Sequence, residues 1–374
     1  MAKIDSTQKI RYAVVGLGHI AQVAILPAFQ NAENSELAAL VSDDEIKRKE
    51  LGRRYGVNQT YSYAEYEQCL SSGVDAVYIT LPNHLHKEYS VRAARAGVHV
   101  LCEKPMAVTV EECEAMIQAA NESHVKLMIA YRLHFEEGNL TAVELARQGK
   151  LGDLRFFTSE FAQQLAENNI RVSHSPAEGG GTVYDMGVYC INAARYLFGE
   201  EPLEVVAASS RKPEERFSKS DQMTSVIMRF PEERQAVFTC SFGAAPISRY
   251  TLIGTEGAVT LDPAYEYAEP IGMQLAIKGK KTEKEFPKRD QFAPELIYFS
   301  DCILNDKEPE PSGEEGLADV KIVQAIYQSA EALKPVRLEI PARKQRPSLA
   351  QEIHKPAVQQ PKPVHAKSPT GEAA

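Results

Sequence analysis

No run of apolar residues in this chain approaches the ~20 needed to cross a bilayer as a helix. That argues against a membrane span. There is also no stripe of Lys and Arg interleaved with aromatic residues. Acidic residues outnumber basic ones, 51 to 42, for a formal charge of −9, so nucleic acid is not expected as a partner. The opening MAKIDSTQKIRYAVVG has neither an apolar signal core nor a cleavage pattern, and the expected compartment is the cytoplasm. Cysteine is sparse. Cys69, Cys102, Cys113, Cys190, Cys240 and Cys302 are scattered, with no CxxC pair. That argues against a disulfide framework and against a metal site, and leaves each thiol as a small buried hydrophobe.

What is present is an ordinary globular balance, 44% hydrophobic and 25% charged, in a chain of 374 residues that is too long for one core. Residues 1–8 read as a polar tail. From residue 9 to 131 short β-branched runs alternate with helical periods. Strands are expected at Arg11–Val15, Leu37–Ser42, Ala76–Thr80, Val98–Cys102 and Lys126–Ala130. Helices are expected at His19–Ala32, Glu45–Tyr55, His86–Ala96 and Val110–Glu122. This is the pattern of an α/β domain, a doubly wound parallel sheet of the Rossmann type. Residues 132–340 change character. A strand at Leu154–Phe161 and a helix at Asp185–Leu197 precede strands at Leu203–Ala207, Thr224–Phe230, Gln235–Phe242, Arg249–Ile253 and Ala258–Leu261. Helices at Ala293–Leu304 and Gly316–Ala332 follow. Successive strands without helices between them predict an α+β domain with a large, mainly antiparallel open sheet. Residues 341–374, rich in Pro, Gln, Lys and Ala, read as a disordered tail.

The first strand runs directly into Gly16-Leu17-Gly18-His19-Ile20-Ala21, a GxGxxA dinucleotide fingerprint. Gly16 permits the tight turn, Gly18 lets the backbone approach a pyrophosphate, and Ala21 lets the helix pack on the sheet. Backbone N–H groups at His19 and Ile20 open that helix toward the phosphates. At the end of the second strand Asp43 can accept from a ribose 2′-hydroxyl, which favours NAD. Ser42 can instead donate to a 2′-phosphate that Lys47 or Arg48 neutralises, which favours NADP. The residues alone leave both cofactors open, and Lys47 and Arg48 also suit a solvated helix face.

Three further segments carry a resemblance. They are Thr80-Leu81-Pro82-Asn83-His84-Leu85-His86, Cys102-Glu103-Lys104-Pro105, and Gly179-Gly180-Gly181 leading to Asp185-Met186-Gly187-Val188-Tyr189. Over residues 9–335 the chain resembles the glucose–fructose oxidoreductase / inositol dehydrogenase (Gfo/Idh/MocA) family. It is most similar to the branch of glucose–fructose oxidoreductases and aldose oxidoreductases. The resemblance implies NADP held through Ser42 and Lys47, with Asp43 a departure that keeps NAD in play. It implies a cis Lys104–Pro105 bond, Glu103 near the cofactor ribose, and Leu81, Pro82, Asn83 and His86 lining the nicotinamide side. Arg132 and Arg171 are implied as cofactor contacts, and Tyr131, Asn192, Tyr265, Asp262 and Gln291 as pocket residues. It also implies a homodimer or homotetramer built on the open sheet.

Oxidising an alcohol by hydride transfer requires a base for the hydroxyl proton and a positive group beside the developing alkoxide. Tyr189 is the expected base, and a phenol fills that role at neutral pH only with a cation near it. Lys104 is that cation. Asp185, four residues before Tyr189 on one helix face, can orient the substrate or Lys104. The expected function is an NADP-dependent oxidoreductase acting on an aldose or polyol. The alternatives are an enzyme that retains its cofactor and passes hydride from one sugar to another, or a non-catalytic nucleotide-binding sensor.

Overall fold

The computed structural model describes residues 8–370 apart from 168, 211–214 and 344. The first seven residues of the expected N-terminal tail, and residues 371–374, lie outside it. The chain divides into two units.

The first unit holds the described residues through Arg132, together with Asp290–Gly316 and the stretch from His354. Its sheet contains β1 (Ile10–Val15), β2 (Ser35–Val41), β3 (Gln59–Tyr61), β4 (Ala76–Ile79), β5 (His99–Glu103) and β6 (Leu127–Ala130). They are all parallel, in the order β3-β2-β1-β4-β5-β6. This is the expected doubly wound arrangement, with its crevice where the strand order reverses at β1 and β4. β4 and β6 are buried throughout, as strands covered on both faces must be.

The helices Glu45–Tyr55 and Val110–Glu122 fall where the sequence predicts them, because both carry end signals. Asp44 Oδ1 accepts the N–H of Lys47 at 3.0 Å, and Gly56 closes that helix in the left-handed conformation. Thr109 and Glu112 form a reciprocal capping box. The first helical segment is less regular than expected. A π-helical turn at Ala21–Ile25 runs into Leu26–Ala28 and a 3₁₀ turn at Phe29–Asn31. Pro27 lacks the N–H that a regular turn would use, and the N–H of Leu26 reaches back five residues to Ala21 O.

Two departures from the sequence reading concern what joins this unit. Residues 290–316, assigned in the sequence to the second domain, pack here instead. The helix Ala293–Leu304 is capped by Asp290 and bonds through Ser300 Oγ to the Tyr12 hydroxyl at 2.9 Å. The apolar face above β1 needs a cover, and this helix supplies it. The Pro-rich stretch also differs from the disordered tail read in the sequence. Backbone groups of Pro356, Lys362 and Val364 bond to Asn31, Arg54 and Gln22. Main-chain polar groups find partners here where apolar surface is lacking.

The second unit, Leu133–Arg289 with Leu317–Ile353, is built on a nine-stranded sheet. Its strands are β7 (Leu154–Ala162), β8 (Glu204–Ser210), β9 (Met223–Arg229), β10 (Gln235–Ser241), β11 (Ile247–Gly254), β12 (Gly257–Leu261), β13 (Ile271–Ile277), β14 (Lys280–Phe286) and β15 (Val336–Arg337). The order is β14-β13-β12-β11-β7-β10-β9-β8-β15, and only β7 and β10 pair in parallel. One face is covered by the helix Val188–Phe198, whose residues are nearly all buried, and by Glu137–Arg147, a helix the sequence reading did not foresee. Among the described residues no helix is long and apolar enough to cross a membrane. All six cysteines are buried and unpaired, as expected.

Candidate active site

The glycine turn follows from steric limits. Gly16 sits at φ +96°, and a Cβ there would lie 2.9 Å from Thr80 O and 3.0 Å from the Leu81 side chain. Only glycine fits. At Gly18 the position a Cβ would take is open, with nothing within 4 Å. After the buried run Tyr12–Leu17, the residues Gly18, His19 and Ile20 are open, while Ala21 packs fully inside. A bare backbone cradle at a helical start is what a pyrophosphate requires, so these residues fit a dinucleotide.

At the end of β2, Ser42 is buried and its Oγ accepts the N–H of Asp44 at 3.2 Å, while Lys47 stands one turn on, half-buried. Asp43, the residue that kept NAD in play, is exposed. Its Oδ1 accepts the backbone N–H of Tyr63 at 2.8 Å. In the loop after β4, Leu81 is buried while Pro82 and Asn83 are half-buried. His86 differs from the cofactor-lining residue expected. It is fully buried, and its ring nitrogens lie 2.9 Å from Pro105 O and 2.8 Å from Leu81 O. It is a strut that ties the Leu81 loop to the Glu103–Pro105 loop. The Lys104–Pro105 bond is cis, as expected. Between Val100 and Val108 only Glu103 and Lys104 are not buried.

Behind Glu103 lies a group the sequence reading missed. The Tyr78 hydroxyl is 3.1 Å from Glu103 Oε1 and 3.1 Å from Glu295 Oε2. Burial raises both carboxyls. Lys104 is the main opposing charge at Glu103, whereas at Glu295 the charge of Glu103 adds to the rise. Arg132 is buried beside them, bonded to Gln291 Oε1. Tyr131 is buried as well. Glu295 and Tyr78 carry no motif of their own. Their only sequence signal is a charged residue, and a hydroxyl, within apolar runs.

In the second unit the chain enters its buried helix through Gly179–Gly181. At Gly181 φ is +94°, and an added Cβ would lie 2.3 Å from the Tyr327 hydroxyl and 2.5 Å from Asp221 Oδ1. A π-helical turn, Val183–Gly187, then leads into Val188–Phe198, a feature common at functional positions. From Gly179 to Phe198 every residue is buried except Asp185 and Tyr189. The Tyr189 ring is backed by Phe161 and Tyr265, with centroids 5.5 Å and 5.8 Å away. Tyr265 itself is buried, its hydroxyl 2.7 Å from Ser159 Oγ, so it supports Tyr189 from within the unit. Asp185 pairs with Arg171, Nε to Oδ1 at 3.0 Å. Arg171, expected as a cofactor contact, thus faces this carboxylate. Asn192 is an interior residue, between His134 Nε2 at 2.7 Å and Asp319 Oδ2 at 3.0 Å. Among the described residues no group of His, Cys, Asp and Glu gathers as a metal site.

Residues 10–131 match a model described as an oxidoreductase family with an NAD-binding Rossmann fold, and residues 139–260 match a GFO/IDH/MocA C-terminal domain. A D-xylose 1-dehydrogenase (NADP(+)) of Haloarcula marismortui is 32% identical over 337 residues, covering 88% of this chain and 93% of that protein. The crystal structure of an aldose–aldose oxidoreductase from Caulobacter crescentus, complexed with glycerol, superposes with a TM-score of 0.84 at 38% identity. It covers 88% of this chain and 100% of that one. A 3-ketoreductase from Actinomadura kijaniata, solved with NADP and TDP-benzene, gives a TM-score of 0.76 at 25% identity, covering 86% and 98%.

Proposed function

This chain belongs to the Gfo/Idh/MocA oxidoreductase family, and from that premise we propose that it is an NADP-dependent dehydrogenase of aldoses or related polyols. The observation that carries the reading is the helix in which Asp185 and Tyr189, four residues apart, are the only positions left open in an otherwise buried run.

Gly16, Gly18, His19, Ile20, Ser42 and Lys47 would hold the nucleotide's phosphates, and Leu81, Pro82, Asn83 and Glu103 its nicotinamide half. When bound, NADP supplies the hydride acceptor. Tyr189 would release its own phenolic proton to solvent as it takes the substrate's hydroxyl proton in exchange. Lys104 would supply the positive group that steadies the charge developing on the substrate oxygen. Asp185, steadied by Arg171, accepts from a neighbouring substrate hydroxyl and fixes which carbon is oxidised. Lys104→Met and Tyr189→Phe should each lower kcat by about a hundredfold or more while NADP affinity stays within about threefold. Full kcat in both variants would remove these roles.

The likeness to an aldose–aldose oxidoreductase supports a second reading, in which the cofactor stays bound and carries hydride from one sugar, which is oxidised, to a second sugar, which is reduced. Protein purified with stoichiometric nucleotide would favour it. Protein that emerges nucleotide-free and works only with added NADP would exclude it.

A further inference from the structure

Two acids close β2, where a nucleotide bearing a 2′-phosphate would meet like charge. The fold deals with each separately. Asp43 is turned to the N–H of Tyr63. Asp44 accepts the N–H of Lys47 on Oδ1, and its Oδ2 lies 3.2 Å from Nδ1 of His365. That histidine arrives from the far end of the chain along a series of fastenings within the first unit. Lys355 pairs with Glu33 at 2.7 Å, Asn31 donates to Pro356 O at 2.9 Å, and Arg54 donates to Lys362 O at 3.0 Å.

The last fastening is the tightest. The N–H of Val364 donates to Gln22 Oε1 at 2.7 Å, and Gln22 Nε2 donates to Val364 O at 2.9 Å and to Leu17 O at 2.9 Å. Gln22 is fully buried, and Leu17 is the middle residue of the glycine turn. The C-terminal stretch is therefore clasped to the phosphate-binding turn itself. His365 follows directly, at φ +46°, with its ring half exposed. A non-glycine residue in the left-handed region is uncommon, and histidine is among those that adopt it more readily.

We infer that His365 is a cofactor-specificity residue. Positioned by the Val364–Gln22 clasp, its imidazole offsets the Asp44 carboxylate and leaves Ser42 and Lys47 to receive a 2′-phosphate. The inference rests on the NADP reading above. NAD carries a neutral hydroxyl in place of the phosphate, so whether Asp44 is offset matters far less to it.

The test is direct binding of NADP+ and NAD+ to the full chain by calorimetry, in the parent, in His365→Ala, and in His365→Ala combined with Asp44→Asn. Asparagine keeps the helix cap. The single variant should weaken NADP+ about fivefold or more and leave NAD+ within twofold. The double variant should recover most of the lost NADP+ affinity, because no acid then remains to offset. Equal weakening of both nucleotides, no change in either, or no recovery in the double variant would overturn the inference while leaving NADP use intact. A parent protein that binds NAD+ and not NADP+ would instead remove the cofactor reading itself, and this inference with it.

Discussion

Tyr78 has one hydroxyl proton and two carboxyl neighbours, Glu103 and Glu295, each 3.1 Å away. It can donate to only one of them at a time. Of the two, Glu295 holds its proton the more tightly, because burial and the charge of Glu103 push it well above the usual carboxylate range. Glu103 is then the acceptor, held in place beside Lys104. The sign of the pH effect follows. The folded state binds the Glu295 proton more tightly than the unfolded chain does. Its contribution is favourable at and below the ordinary glutamate pKa of about 4.3 and is lost as the pH rises toward the higher folded value. Glu295→Gln, which cannot ionise, should therefore gain stability relative to the parent as the pH rises above the ordinary glutamate pKa of about 4.3, read as a denaturant midpoint at each pH. A difference that does not change with pH would contradict this placement of the proton.

At the scale of elements, the Gly179–Gly181 entry, the π-helical turn and the helix that follows act as one device for presenting Asp185 and Tyr189. Gly181→Ala would push a methyl group into the Tyr327 hydroxyl and Asp221, in a backbone region that costs an L-residue ~1–2 kcal/mol. The variant should lose kcat with NADP affinity unchanged, since the glycine turn lies in the other unit. Loss of both in parallel, by kinetics and calorimetry, would show a global defect instead. Elements with marked ends were legible in the sequence. Glu45–Tyr55 has Asp44 and Gly56, and Val110–Glu122 has its capping box. β14, Lys280–Phe286, escaped because it is an edge strand whose side chains are exposed up to Phe286. Charge protects such an edge from further pairing and erases the alternation that reveals a strand. The glycine turn, Lys104, Asp185 and Tyr189 were legible as motifs. Glu295, the interior placement of His86 and Tyr265, and the clasp on Gln22 were not, because burial and long-range partners leave no local pattern.

For the molecule as a whole, the boundary between units is not a single cut, since Asp290–Gly316 and the residues from His354 return to the first unit. The large sheet of the second unit leaves a row of apolar residues exposed. Ile227 lies in register with Val206 on one side and Val237 on the other. Such a row on a sheet face suits a second copy of the chain, which is our proposal for the oligomer. Ile227→Asp should reduce the mass found by light scattering to that of one chain, and an unchanged mass would contradict it. The account as a whole depends on hydride transfer between NADP and a sugar. The most direct test is NADPH formation, followed by its near-ultraviolet absorbance, when the unmodified protein is mixed with NADP+ and a panel of aldoses. The account predicts turnover with at least one aldose and its loss in Tyr189→Phe. Protein that binds NADP+ yet reduces none with any aldose or polyol, and carries no retained nucleotide, would contradict it.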